Sequence, residues 1–381
     1  MKRYIYSIIF LFAVTNFFSQ TKELVLKKSF ETNVKTILNI DVDNVTIQFK
    51  ESDDSKIRLD YSILFKKNSD EVIYRVFKDI NAKVTKNENV INLEVKNSMY
   101  LGELHSLDVD MSSFKELLSG YFKKYKENKF AYKSKDSLLK EIHFSLGTDM
   151  HDYIKRLKKK DPNKNFGEGS KRFEQKFIIN VPKNLKLKIK SLHSRITFNY
   201  NINTPIKVSA FKTYFKFKKV VNNENKFDLS MGVFQAEKIA GGNFNFKDVN
   251  KVIIGSISNA KITTEISKVQ IGEIGKGVDL NDFNSKLYFY NFDKNFSLFK
   301  LTGDYSKLHF YDKKNTVSLT AFGNTTAINF DAQKFSFEPR KEGTKFKMLE
   351  KKVKNKGNYF GHISLNITHG IIEIKSQEKE H

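Results

Sequence analysis

Cysteine and tryptophan are absent from this 381-residue chain, and proline occurs only four times. Without cysteine there is no disulfide framework, no cysteine-ligated zinc or iron–sulfur site, no cysteine nucleophile and no cysteine-linked lipid anchor. The lack of tryptophan, a frequent platform for sugar rings, weakens carbohydrate binding as a default expectation. What the chain has instead is 35 phenylalanines, 16 tyrosines and 67 Lys and Arg against 43 Asp and Glu. A chain with 39% hydrophobic residues can bury a large core, so a disordered protein is not expected.

The first residues carry the pattern of a secretory signal peptide, which we predict for residues 1–19. Lys2 and Arg3 precede an apolar run over residues 4–18, and the small residue Ser19 follows. That run is shorter than the roughly 20 residues that cross a bilayer, and no later stretch is long and apolar enough to do so as a helix. We therefore expect an exported protein of the periplasm, outer-membrane surface or extracellular space, without an integral span after signal removal.

Hydrophobic periodicity divides the rest of the chain into three regions. Apolar residues alternate with polar ones from about residue 24 to residue 96, which predicts half-buried strands in an N-terminal β region over residues 20–111. Residues 112–170 change to helical spacing and are predicted to be a helical insertion. Alternation returns from about residue 173, and residues 171–378 are predicted to form a repetitive β region.

Helix-boundary signals support the predicted insertion. Ser113 and Glu116 are spaced as a capping box, in which the hydroxyl and the carboxylate satisfy backbone amides of the first turn. A later helix begins near Asp149 and ends before Pro162. Its last turns carry a basic cluster that is a candidate site for acidic polymers, namely Lys155, Arg156, Lys158, Lys159 and Lys160.

Short similar segments recur in the last region. Residues 194–198, 285–289 and 306–310 read SRITF, SKLYF and SKLHF, and the last two, 21 residues apart, both continue with tyrosine. Weaker copies are residues 326–330, 213–217, 260–264 and 370–374, and Gly323 matches Gly303. Self-similarity near 20 residues is typical of a β-solenoid, in which each coil buries its inner face only against its neighbours. The predicted fold class is therefore all-β with solenoid coils of about 20 residues, and the alternative is a β-sandwich.

Residues 177–189 read FIINVPKNLKLKI, a polar-apolar strand ending in Val-Pro, a turn and a second strand. This stretch resembles the strand pair that opens the bacterial "putative adhesin" β-solenoid family of unknown function, which is common in exported proteins of Bacteroidetes. Residues 368–374 and 303–310 resemble coils of that family. The resemblance covers about residues 24–96 and 173–376, and it implies an envelope or surface location and an adhesion role. It supplies no catalytic residues.

Residues that carry chemistry are scattered. His143, Asp149 and His151 lack the spacing of a zinc helix, and His309 with Asp312 is expected to be outward polar surface. Carboxylate pairs occur at residues 41 and 43, 53 and 54, and 108 and 110, but their surroundings are typical of turns and loops. We also interpret Gly241–Gly242 and residues 272–277 as tight turns between coils. We predict no enzyme, no cofactor and no metal site, with a polysaccharide-degrading enzyme as an alternative.

The strongest remaining signal is the net charge of +24, with a pI near 9.6. Signal removal lowers the charge to +22, and residues 112–172 contain 16 Lys and Arg against 8 Asp and Glu. A basic surface attracts polyanions, although lysine-rich composition alone also produces it. The predicted function is a non-catalytic envelope or cell-surface scaffold of adhesin type. The alternative is a binding module for lipopolysaccharide, exopolysaccharide or extracellular DNA, and the partner is an acidic envelope polymer or another envelope protein.

Overall fold

The computed structural model describes residues 20–66, 74, 76–78, 80–97, 173–293, 296–312, 317–330, 335–339, 346–351 and 361–376. The predicted signal peptide, the helical insertion with its basic cluster, the group at His143 to His151 and the pair at residues 108 and 110 lie outside these residues. Residues 74 and 76–78 are helical, and the described chain is otherwise built from strands and turns.

The described strands number 25. The first nine are β1 (Gln20–Glu31), β2 (Ile37–Asp43), β3 (Thr46–Glu51), β4 (Lys56–Lys66), β5 (Ile80–Asn87), β6 (Val90–Asn97), β7 (Phe173–Val181), β8 (Lys186–Leu192) and β9 (Arg195–Phe198). The next eight are β10 (Ile206–Phe211), β11 (Tyr214–Val221), β12 (Lys226–Ser230), β13 (Val233–Lys247), β14 (Lys251–Glu265), β15 (Lys268–Ile274), β16 (Val278–Phe283) and β17 (Lys286–Phe289). The last eight are β18 (Leu298–Asp304), β19 (Lys307–Asp312), β20 (Val317–Asn324), β21 (Ala327–Asn329), β22 (Phe335–Pro339), β23 (Phe346–Lys351), β24 (Gly361–Thr368) and β25 (Ile371–Ser376).

These strands belong to two compact units, and the larger one contains the candidate site. Its described residues lie within Leu26–Tyr61, Ala82–Lys96 and Phe177–His381. The smaller unit includes Ser62–Asn81, where the rings of Phe65 and Phe77 lie 6.3 Å apart and Val76 is fully buried.

Parallel pairing stacks the strands of the larger unit into two long walls. Wall A runs in the spatial order β6, β2, β8, β10, β12, β13, β14, β16, β18, β24, β20. Wall B runs in the order β7, β3, β9, β11, β13, β14, β15, β17, β19, β25, β21. A hairpin-built sandwich would pair its strands antiparallel, so the solenoid prediction is confirmed over the sandwich.

Period-two alternation places one apolar column of each wall inside. The central column of wall A is buried from end to end and consists of Leu93, Ile40, Ile189, Val208, Phe227, Phe244, Ile262, Leu280, Leu301, Leu365 and Ala321. A shorter wall C, formed by the column Ile202, Val220, Ile239, Ile257, Ile274 and Phe292, joins walls B and A. Phenylalanine is concentrated inside, and the rings of Phe227 and Phe244 are stacked 4.8 Å apart.

The ten coils whose connection is described turn from wall A to wall B at a non-glycine residue with a left-handed backbone. The ten corner residues have φ between 45° and 60° and are Asn44, His193, Lys212, Met231, Asp248, Ile266, Asn284, Tyr305, His369 and Thr325. The residue after the corner is often a buried Ser or Thr, as at Ser267, whose Oγ accepts the backbone N–H of Val249 at 3.0 Å and donates to the carbonyl of Glu265 at 2.9 Å. This hydrogen-bonding role explains the Ser or Thr that opens most of the repeated segments.

The repeats map onto this corner, with one exception. Residues 194–198, 213–217, 285–289, 306–310, 326–330 and 370–374 each follow a corner residue. The prediction that residues 260–264 are a copy is wrong, because Lys261 lies on wall A opposite Asn243 and Asp279. In that coil the segment after the corner is residues 267–271. The match of Gly303 with Gly323 is confirmed, since both face Ile367 from opposite sides.

The glycine pair in β13 marks the bend from wall C to wall A. Gly241 and Gly242 have φ of 93° and 105°, and a Cβ on Gly241 would lie 2.3 Å from Oδ1 of Asn223. The prediction of a tight turn there holds in part, because the chain bends at these residues but both lie within β13. The prediction for residues 272–277 holds in part, because Gly272 lies within β15 and Gly277, with φ of 68°, lies in the turn before β16.

At both ends of the stack, the spatial order of the coils departs from the chain order. The coil β2–β3 lies between β6–β7 and β8–β9, and the coil β24–β25 lies between β18–β19 and β20–β21. Beyond the latter, β23 pairs antiparallel with β20 and with β22, so the parallel stack ends there.

Candidate functional site

Large apolar side chains are exposed at neighbouring corners of the larger unit. Ile266, Phe283 and Tyr305 are 51%, 46% and 55% exposed and come from three consecutive coils. The rings of Phe283 and Tyr305 meet edge to face at 6.1 Å, and Tyr305 stacks on His369 at 5.0 Å. Single exposed apolar residues need no explanation, but a contiguous group of them is typical of an interaction surface.

The backbone at this corner is unfavourable for its residues. Ile266 has φ of 49°, a left-handed conformation in which a β-branched side chain crowds the following carbonyl oxygen. Asn44 and Asn284 occupy the same corner in other coils, and asparagine adopts this conformation at much lower cost. Strain of this kind persists where the surrounding fold enforces it, and such positions cluster at functional sites.

A row of lysines runs beside these corners on the outer face of wall B. Lys268 lies opposite Lys286, Lys286 lies opposite Lys307, and Lys251 occupies the same position on β14. Neighbouring strands are about 4.8 Å apart, so like charges face one another at each step, which destabilises the sheet. Lys307 pairs with Glu373 at 3.6 Å, whereas Lys251, Lys268 and Lys286 form no ion pair with any residue that the structure describes.

Stacked rings form the far side of the row. Tyr288 and His309 stack at 4.5 Å with 5° between their planes, and Tyr290 and Tyr311 stack at 5.0 Å with 7° between theirs. The rings therefore cover one another's faces along the stack of coils. We call the combined feature the aromatic–lysine surface, comprising Ile266, Phe283, Tyr305, Lys251, Lys268, Lys286, Lys307, Tyr288, His309, Tyr290 and Tyr311.

The expectation of an exposed His309 is wrong in one respect. His309 does belong to an outward column of wall B, but it is only 8% exposed. The ring of Tyr288 covers one of its faces, and its Nδ1 lies 2.8 Å from Oε2 of Glu373. His309 therefore supports the ring stack, and the side chain of Asp312 lies outside the described part of the chain.

A groove on the outer face of wall A is a second candidate. It measures about 580 Å³, and its lining includes Lys188, Lys207 and Lys226 from successive coils. Unlike the row on wall B, these lysines share their face with the carboxylates Asp41 and Asp228, which also line the groove. The groove thus has mixed charge. The outward column next to the row on wall B holds Ile253, Gln270, Tyr288 and His309 and meets a carboxylate only at Glu373, opposite His309.

Three of the four carboxylates in the two described pairs have structural partners. Asp41 pairs with Lys96 and, at 3.8 Å, with Lys190, and Asp43 lies 3.3 Å from Nδ1 of His193. Asp54 accepts from the hydroxyl of Ser52 and the guanidinium of Arg58 in the turn after β3. The Ser52 hydrogen bond is the main cause that lowers the pKa of Asp54 below its ordinary value.

Neither a metal cluster nor a membrane-spanning helix is found among the described residues. Within the described ranges, no group of three or more His, Asp or Glu side chains is arranged to hold a metal ion. The described helical residues likewise include no helix with the length and apolar character needed to cross a membrane.

The aromatic–lysine surface was not predicted as a site. Its members Lys286, Lys307, Tyr290 and Tyr311 belong to the repeated segments, which we interpreted as architecture only. The signal that could have identified it is the recurrence of lysine and tyrosine at outward positions of those segments.

No family model and no curated protein matches this sequence, so the resemblance to the Bacteroidetes family stays a prediction. Among solved structures, one that is similar is a "putative cell adhesion protein" from Clostridium sporogenes ATCC 15579. It is 11% identical, covers 94% of this chain and 100% of its own, and superposes with a TM-score of 0.18. Neither fold nor function is transferred from that protein.

Proposed function

We propose that this chain is an exported, non-catalytic protein of the cell envelope that acts as an adhesin-type scaffold. The carrying observation is the aromatic–lysine surface, in which exposed apolar residues at the strained corner adjoin the lysine row of wall B, whose members Lys251, Lys268 and Lys286 have no ion-pair partner among the described residues. Such a surface stabilises the folded chain poorly, and its retention is explained by contact with a ligand or partner.

Stacked coils suit this role. Each coil is fixed by its neighbours through buried columns such as Phe227 and Phe244, so residues far apart in sequence keep a constant spacing on the outer face. The exported location rests on the predicted signal peptide, and the proposed absence of catalysis is supported by the structural partners of Asp41, Asp43 and Asp54.

The proposal is tested in the native host with a deletion strain and with a strain producing the chain with an epitope tag. We expect protease added to intact cells to remove the tag, while a periplasmic marker survives, and we expect the deletion strain to attach less to surfaces or other cells. A protected tag together with normal attachment would contradict the proposed role. The purified chain is also expected to release no reducing ends from acidic or neutral polysaccharides, and steady release would show that it is an enzyme.

A further inference from the structure

We propose that the aromatic–lysine surface binds an acidic polysaccharide laid along the stack of coils. This inference rests on the proposed adhesin-type function and names the chemical class of its ligand. It is carried by the charge of the lysine row, the orientation of the stacked rings and the apolar corners beside them.

The first step is charge complementarity. Lys251, Lys268 and Lys286 repeat once per coil, at about 4.8 Å, with no ion-pair partner among the described residues. A linear polymer with an anionic group on each repeating unit meets several of these ammonium groups at once. Each contact raises the effective concentration of the next, so a row of individually weak contacts gives useful affinity.

Three carboxylates lie near the row at the corner, and only Asp248, the corner residue before Lys251, has no ion pair with a described residue. Glu265 is paired with Lys247 at 3.0 Å, and Asp304 lies 3.2 Å from Nδ1 of His369. The lysines of wall A provide the contrast, because carboxylates line the same groove. The row on wall B is therefore the better anion site of the two.

The rings favour a sugar polymer over single-stranded nucleic acid. Binding of single strands relies on bases that stack on open aromatic faces. Here Tyr288 and His309 stack on each other, as do Tyr290 and Tyr311, with planes nearly parallel at 4.5 and 5.0 Å. Each pair covers one face of each ring, and Lys268 lies over the ring of Tyr288 with its Nζ 5.8 Å from the centroid. Ring edges and phenol hydroxyls are what these pairs offer a ligand, and they suit a polymer rich in hydroxyl groups.

The apolar corners complete the match. Phe283 and Tyr305 are about half exposed beside Lys286 and Lys307. Sugar rings present apolar C–H faces as well as hydroxyl groups, and exposed aromatic side chains supply rigid contact area for such faces. A carboxylated polysaccharide can thus engage the lysines and the corner rings together.

The test uses the purified full chain and oligomers of polygalacturonate, a polymer with one carboxylate per sugar, with binding measured by isothermal titration calorimetry. The variant Lys251→Gln/Lys268→Gln/Lys286→Gln removes three charges from wall B. The matched control Lys188→Gln/Lys207→Gln/Lys226→Gln removes three exposed charges from consecutive coils of wall A. We expect the wall B variant to bind at least tenfold more weakly, and the wall A variant to stay within about threefold of the parent.

Further arms identify the source of binding. We expect affinity to rise with oligomer length and fall with salt, and neutral dextran not to bind. An equal loss in both triple variants would overturn the proposal in favour of general charge attraction, and tighter binding of oligothymidylate would overturn it in favour of nucleic acid. If the wall B variant restores attachment in the deletion strain although it no longer binds polygalacturonate, this inference fails while the proposed function stands.

Discussion

Asp282 is a buried carboxylate whose removal should destabilise the fold far more than removal of its neighbour Asp279 on the same strand. Its side chain points inward and is 8% exposed. One carboxylate oxygen accepts the hydroxyl of Thr264, and the other accepts the hydroxyl of Ser306 and the backbone N–H of Ser285 at 3.2 Å. The carboxylate thereby links three successive coils at the corner between walls A and B.

The magnitude follows from the donors that Asp282→Ala would leave unsatisfied. A stranded buried donor costs about 1–3 kcal/mol, and hydroxyls can rotate toward other acceptors whereas the N–H of Ser285 cannot. Counting that N–H and one hydroxyl, we expect a loss of about 2–6 kcal/mol. Asp282→Asn keeps the shape and one acceptor oxygen, so it should lose less.

The assay is urea unfolding followed by far-ultraviolet circular dichroism and by tyrosine fluorescence. The control Asp279→Ala lies on the same strand at an outward, partly exposed position, where surface substitutions change stability by about 0.5 kcal/mol or less. If Asp282→Ala lowers the free energy of unfolding no more than Asp279→Ala does, the carboxylate does not hold the corner and the reasoning is refuted.

Three further predictions concern stability. Phe244→Ala should lower the free energy of unfolding in urea by about 3–5 kcal/mol, because it leaves a cavity in the central column of wall A. The exposed Phe283→Ala should cost far less, and equal losses would contradict a buried column at Phe244. Ser267→Ala should cost about 1–2 kcal/mol in the same assay by stranding the N–H of Val249, and a neutral result would contradict the corner hydrogen bond. Burial raises the pKa of the Tyr200 phenol above its ordinary value of 10.0, because the folded chain disfavours the charged form. The stability that this neutral phenol contributes is therefore complete below pH 10.0 and is lost as the pH rises above it, where the unfolded chain ionises. Tyr200→Phe should therefore reduce the alkaline loss of stability in unfolding curves at about pH 8 and pH 11, and an unchanged loss would contradict this.

Local pattern was enough to predict the strands and the coil as the unit of structure. Alternation in residues 56–66 predicted β4. The near-identical segments that begin at residues 285 and 306 predicted that Tyr290 and Tyr311 occupy the same position in adjacent coils, where they stack. Such predictions succeed because an inward column demands apolar side chains at every second position, whatever the neighbours are.

The lysine row could not be predicted so directly, because its alignment depends on where each coil begins. Successive corners are separated by different numbers of residues, for example 18 between Ile266 and Asn284 and 21 between Asn284 and Tyr305. One misplaced corner moves every outward residue to another column, as the wrong copy at residues 260–264 shows. The register of a solenoid is set by the fit of whole coils, and a short repeated segment constrains it only locally.

The order of the terminal coils shows the same limit more strongly. The segment at residue 326 follows the segment at residue 306 by twenty residues in the chain, yet the coil β24–β25 lies between them. Every strand carries the same alternation, so the pattern permits either neighbour, and the choice depends on which side chains fill the space. Ile367 lies opposite Gly303 on one side and Gly323 on the other, and the missing side chain of Gly303 leaves room for it, because a Cβ there would lie 3.0 Å from the Cδ1 of Ile367. The two matching glycines were visible in the sequence as a repeat, and what they share is a close approach to the hydroxyl residue after the corner. An added Cβ would lie 2.4 Å from Oγ of Ser306 at Gly303 and 3.0 Å from Cβ of Thr326 at Gly323. Contacts such as that of Ile367 with Gly303 help to place the coil β24–β25 inside the stack, next to the coil β18–β19 that carries part of the aromatic–lysine surface.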